Sequence, residues 1–104
     1  MGAGLALHYL RGKGARFRTL AVLHGLLGAS GLCLLVLNLQ GPRRGDAMGV
    51  GSFGTAAAVL FGAALLFGPF VALVKTRVAG LALAFHVTLA ITGFTLFLAW
   101  ISLG

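Results

Sequence analysis

Two histidines are the residues of this chain best placed to do chemistry. His24 and His86 each lie inside a long apolar run that holds no Asp, Glu, Lys or Arg. An ionisable side chain is expensive to keep in such surroundings, so its presence there marks a candidate functional position. A neutral imidazole can offer one ring nitrogen to a metal while the other donates a hydrogen bond. It can equally bond a neighbouring helix. The chain after the two histidines runs in parallel: His-Gly-Leu-Leu-Gly-Ala-Ser-Gly from His24, and His-Val-Thr-Leu-Ala-Ile-Thr-Gly from His86. Leu27 thus corresponds to Leu89, Gly28 to Ala90, Ser30 to Thr92 and Gly31 to Gly93. Residues one and two turns onward share a histidine's face of a helix. Gly28 and Gly31 therefore clear a strip beside His24, as Ala90 and Gly93 do beside His86, with Ala79 and Ala82 extending the second strip.

A strip cleared of bulk suits a flat macrocycle. The expectation is a haem b between the first and third helices, with His24 and His86 as its metal ligands and Gly28, Gly31, Ala90 and Gly93 beside the ring. Arg16 and Arg18, joined by Lys75 and Arg77, lie at the end of the helices where propionates need cations. Iron ligation by imidazole is ordinary chemistry. The competing readings are helix packing, contact with a partner subunit, a chlorophyll-type ligand and a quinone-site histidine. The nearest general likeness is to small b-type cytochrome subunits, and it rests on one His per helix followed by small residues. The membrane-embedded Glu and fourth helix of small multidrug exporters have no counterpart here, nor does the His/Asp pattern expected of succinate dehydrogenase anchors.

The elements that must carry these residues are set by composition. Of the 104 residues 60% are hydrophobic and only 9% charged, and the mean hydropathy is +1.07. A soluble domain carries roughly 25% charged residues to keep its surface wet. The apolar runs cover about 19–38, 53–74 and 78–103, and each reaches the roughly 20 residues that an α-helix needs to cross a bilayer. The predicted fold is an all-α integral membrane protein of three transmembrane helices, residues 19–104, preceded by a basic interfacial segment, residues 1–18. Within that segment Leu5, Leu7, Tyr9 and Leu10 are the expected apolar contacts with lipid, and His8 is expected at headgroup level. Residues from Gln40 to Ser52 form a polar loop with turn chemistry at Gly41-Pro42-Arg43-Arg44-Gly45-Asp46. Lys75-Thr76-Arg77 is a tight link that makes an antiparallel hairpin of the second and third helices.

Charge orients the bundle. A net charge of +7 would suggest nucleic acid in a soluble protein, but here the cations cap apolar runs, so anionic lipid headgroups are the expected partner and nucleic acid is not. Arg11, Lys13, Arg16, Arg18, Lys75 and Arg77 fall on one side, against Arg43 and Arg44 on the other. The positive-inside rule then places the N-terminus in the cytoplasm of a bacterial cell and the C-terminus outside its inner membrane. Trp100 is expected as an interfacial indole near the outer surface. A basic stretch before an apolar one also resembles a signal peptide, with Ala29-Ser30-Gly31 as the cleavage site, and the segment is expected to be retained. Ala6 stands where a myristoylation signal wants Ser or Thr. Cys33 reads as a small buried hydrophobe, and Pro69 as a helix kink near the depth of the histidines. Thr88, Thr92 and Thr95 form a stripe expected to bond its own backbone.

With so little mass outside the bilayer, the chain is expected to have no catalysis of its own. The function expected is that of a small subunit in a larger inner-membrane electron-transfer complex, with quinone as a further possible ligand. The alternative is an accessory subunit without cofactor that stabilises a membrane complex, including a photosynthetic one.

Overall fold

The computed structural model describes residues 2–5, 15–73 and 77–104; for 15–17 and Ala72 it describes the backbone alone. Three helices organise the chain: α1 (Ala15–Leu39), α2 (Phe53–Leu73) and α3 (Val78–Leu103). They hold 25, 21 and 26 residues, which at about 1.5 Å each cover the thickness of a hydrocarbon core. All three are long and apolar enough to span a membrane, and no strand occurs among the described residues. The second and third spans fall within a residue of the expected ones. The first begins four residues before the apolar run, because Ala15 to Arg18 contains no helix breaker. Alanine and arginine propagate a helix well, and a long cationic side chain can leave it for the headgroups.

The helices run up, down and up. α2 is the central element, packed along α3 and less extensively against α1. Large side chains outside the interfaces, such as Val22, Leu26, Leu34, Leu66 and Ile91, are exposed on the outside of the bundle. In water such a surface would drive aggregation; in a bilayer it is the solvated surface. A buried cluster lies at the Trp100 end, where Leu35, Ala57 and Trp100 are buried together and Leu39, Phe53, Phe61 and Phe97 pack around them. Toward the His end the buried residues are smaller: Ala64, Val71, Ala79 and Ala82.

The loop between α1 and α2 closes over that core. A single 3-10 turn, Asp46–Met48, is flanked by Gly45 at φ 87° and Gly49 at φ 72°. Both lie in the left-handed region, which a side chain would strain. Asp46 accepts from Arg43 at 2.8 Å, and the Val50 amide donates to the Gly45 carbonyl at 2.9 Å. Trp100 stands at the end of α3 where an interfacial indole was expected, but only 6% of it is exposed. Gly54 supplies no side chain, so the indole lies directly on α2. Its Nε1–H donates to the Arg44 carbonyl at 3.2 Å, and the Arg44 guanidinium sits 5.6 Å from the ring centre. A buried indole needs a partner for its N–H, and the loop provides one.

Hydroxyls within the spans bond locally. Two of the stripe's three threonines do as expected: Thr88 donates to the Ala84 carbonyl at 2.7 Å and Thr95 to that of Ile91 at 2.9 Å. Ser30 does the same to Leu26 at 2.8 Å. Cys33 is exposed on the outside of α1 rather than buried, since the bundle interface of that helix passes through Leu35.

Candidate functional site

α1 and α3 point the same way, so His24 and His86 enter the bundle from the same end. Their rings meet, with centroids 6.2 Å apart and planes at 73°. The difference in depth expected from their positions along the two runs does not keep them apart. Both residues are half-buried.

His86 is held by α2. Its Nδ1 lies 2.7 Å from the backbone carbonyl of Ala64. A carbonyl oxygen can only accept, so Nδ1 carries the proton and donates it, and in a neutral ring the lone pair is then on Nε2. A Cβ placed on Gly68 would stand 3.5 Å from His86 Cε1 and 3.9 Å from Nδ1. The edge of the imidazole thus rests against the backbone of α2 at the glycine one turn beyond Ala64. Pro69 follows directly and has no N–H to give the carbonyl one turn back, yet α2 stays helical to Leu73. Phe67 and Phe85 stack beside this contact, with centroids 6.0 Å apart and planes at 19°.

The His24 ring lies beside the imidazole of His86 and close to Gly2, where a Cβ would stand 3.7 Å from His24 Cε1. Residues 2–5 form a helical turn, so the start of the chain reaches back to the histidine pair. The expected interfacial contacts Leu7, Tyr9 and Leu10, together with His8, lie outside the described residues, whereas Leu5 is half-buried.

Of the two small-residue strips, Gly93 packs on α2 and Gly28 lies within contact of it, while Gly31 is exposed. A Cβ on Gly93 would meet Leu60 and Phe61 at 3.2 Å, and one on Gly28 would meet Leu65 at 3.9 Å. Gly31 has open space around it, Ala90 is half-buried, and Ala79 and Ala82 are buried. The reason is tertiary: α2 packs against both α1 and α3. Leu60, Phe61, Leu65, Gly68 and the Ala64 carbonyl therefore belong to the site's surroundings. Sequence alone did not point to them, because a backbone acceptor and aliphatic walls carry no motif; the Gly68-Pro69 pair was the one available sign.

Cations stand at the His end as expected. Arg18 is exposed and, with Thr19, Val22 and Leu23, lines an open recess of about 510 Å³ one turn before His24. Arg77 is exposed at the same end of the bundle. The side chain of Arg16 and the whole of Lys75 lie outside the described residues. Among the described residues no third His, Cys, Asp or Glu joins the pair to complete a metal-binding group.

No protein-family model, curated protein or solved structure matches the chain.

Proposed function

We propose that the chain is a small subunit of a bacterial inner-membrane electron-transfer complex, in which His24 and His86 hold a haem b between α1 and α3. The observation that carries this is the meeting of two imidazoles, 6.2 Å apart at their centroids, inside an apolar bundle. Imidazole nitrogens bind first-row metals at roughly 2.0 Å, so two rings on opposite sides of one metal have centroids roughly 6 Å apart. Among the described residues no third His, Cys, Asp or Glu joins the pair, and two imidazoles suit a metal whose other positions are filled by a macrocycle, whereas a bare zinc site wants three or four protein ligands. Haem b supplies one-electron transfer when bound.

The residues of the chain then have separate tasks. His86, with its Nδ1–H on the Ala64 carbonyl, offers Nε2. His24 offers the second nitrogen from α1. Arg18 stands near the membrane surface for the propionates, as do Arg16, Lys75 and Arg77 by their place in the chain. The same cations face anionic headgroups, and by the positive-inside rule they put the N-terminus in the cytoplasm and Gly104 outside. Reporter fusions after Gly104 and ahead of Ala15 test that orientation; activity of a cytoplasm-only reporter at Gly104 would reverse it.

A reduced-minus-oxidised spectrum of the purified protein or complex is the test of the haem. The expected result is a b-type α band that His24→Ala and His86→Ala each remove. A featureless spectrum from a complex with full occupancy of this subunit would sink the proposal. A second function, an accessory subunit without cofactor, is favoured by one observation: Gly28 and Gly93 already find Leu65, Leu60 and Phe61 across from them. Small residues of this kind are the ordinary means of helix packing in lipid.

A further inference from the structure

We infer that Gly68 is a positioning residue for His86, and that α2, which contributes no side-chain ligand, decides which imidazole nitrogen the site presents. Three observations on one turn of α2 lead there. The His86 Nδ1 to Ala64 carbonyl distance is 2.7 Å, short enough to require a proton between them. Gly68 lies one turn on from Ala64, and a Cβ there would stand 3.5 Å from His86 Cε1 and 3.9 Å from Nδ1. Pro69 then denies the Leu65 carbonyl its helical donor, so this is the turn at which α2 is least able to close on itself. A side chain longer than a methyl at position 68 would occupy the volume that the imidazole edge fills.

The consequence is a fixed tautomer. A free neutral histidine can carry its proton on either nitrogen. With Ala64 accepting from Nδ1, Nε2 keeps its lone pair and becomes the nitrogen available to a ligand, in the manner by which outer hydrogen bonds set the binding nitrogen of metal-ligating histidines. His24 has no corresponding backbone acceptor among the described residues. The pair is therefore unequal: His86 is set by α2 before anything binds, whereas among the described residues no backbone carbonyl sets His24 in the same way. The use of this nitrogen for iron rests on the haem proposal above; the socket itself does not.

Nitrogen NMR of the full chain, labelled with ¹⁵N-histidine and reconstituted without haem in lipid nanodiscs, reads the tautomer directly. His86→Gln identifies the His86 signals. The expected wild-type result is His86 in the Nδ1–H form, by roughly tenfold over the alternative, as one net hydrogen bond implies. Gly68→Ala is expected to keep that form, because 3.5 Å is an ordinary contact. Gly68→Leu is expected to lose it and move His86 to the Nε2–H form. A wild-type His86 found as Nε2–H, or a folded Gly68→Leu variant with the Nδ1–H form intact, overturns the inference. Circular dichroism reports whether Gly68→Leu has folded; should it not, the wild-type tautomer alone decides. If His86 is Nδ1–H but no preparation shows a b-type band, the haem proposal falls and the socket stands. A band together with an Nε2–H His86 has the opposite meaning.

Discussion

The two ends of this bundle are built by different rules. At one end Trp100, Leu35 and Ala57 are buried together, and a glycine-shaped loop ties α1 to the tip of α3 through the Arg44 carbonyl and guanidinium. At the other end the described buried residues are mostly alanines, large side chains face outward, and His86 makes an interior polar contact with Ala64. Burial of apolar area does not drive association in lipid, because the surrounding tails are as apolar as the protein. Close packing and satisfied hydrogen bonds must do so. The Trp100 end uses both, which makes it a clasp; the His end keeps two imidazoles together.

That contrast can be broken or sharpened by substitution. The largest effect belongs to the histidines: His86→Ala or His24→Ala is expected to abolish the b-type band while costing the haem-free bundle in detergent no more than about 1–2 kcal/mol. A large loss of stability from either would show that the pair is a structural clamp. Trp100→Ala should do the reverse, lowering stability by about 2–3 kcal/mol, since the packing part of a large-to-small change survives in lipid while the transfer part does not. Steric trapping or titration into denaturing detergent measures it, and a wild-type midpoint would dismiss the clasp.

The same glycine-to-alanine change should then separate the two ends. At Gly54 a Cβ would stand 2.7 Å from the Trp100 ring and 2.9 Å from Leu39, so Gly54→Ala is expected to cost about 1–3 kcal/mol through overpacking. At Gly25, beside His24, no described neighbour lies within 4 Å, so Gly25→Ala should be neutral or slightly stabilising, by up to about 1 kcal/mol from helix propensity. Equal effects at both positions would erase the distinction drawn between the ends. The smallest effect is expected from Arg43→Ala. Its partner Asp46 and Arg43 itself are exposed, and an exposed ion pair contributes no more than about 1 kcal/mol. A larger loss would mean that the loop depends on this pair rather than on Gly45, Gly49 and Trp100.

Much of this architecture was legible before any coordinates. Runs without charge, long enough to span lipid and separated by turn residues, leave a chain few alternatives, because unpaired backbone groups are not tolerated in hydrocarbon. That is why Phe53–Leu73 and Val78–Leu103 fall where hydropathy put them. The start of α1 was not legible to the same degree, since Ala15 to Arg18 is helical without being apolar. His24 and His86 stood out because ionisable residues are rare in such runs, and their meeting followed from two helices with one direction and similar depth.

What tertiary structure alone decided is who faces whom. Period and composition put Gly28 and Gly93 on the faces of their histidines but do not say which helix lies opposite, and it is α2 that fills both positions, with Leu65 and with Leu60 and Phe61. Likewise nothing in the residue types of Ala64 and Gly68 marks them as the seat of an imidazole; a carbonyl is present at every position, and only the crossing of α2 with α3 selects one. Trp100 belongs to the same class, because its type and place predicted a surface indole, while the loop's return path and the missing side chain of Gly54 buried it. The sequence by itself determined that the chain is three apolar helices carrying two imidazoles at one end, because those facts depend on local composition and length. The contacts of those imidazoles depend on rotations of the helices about their axes, which a sequence apolar on every face leaves open.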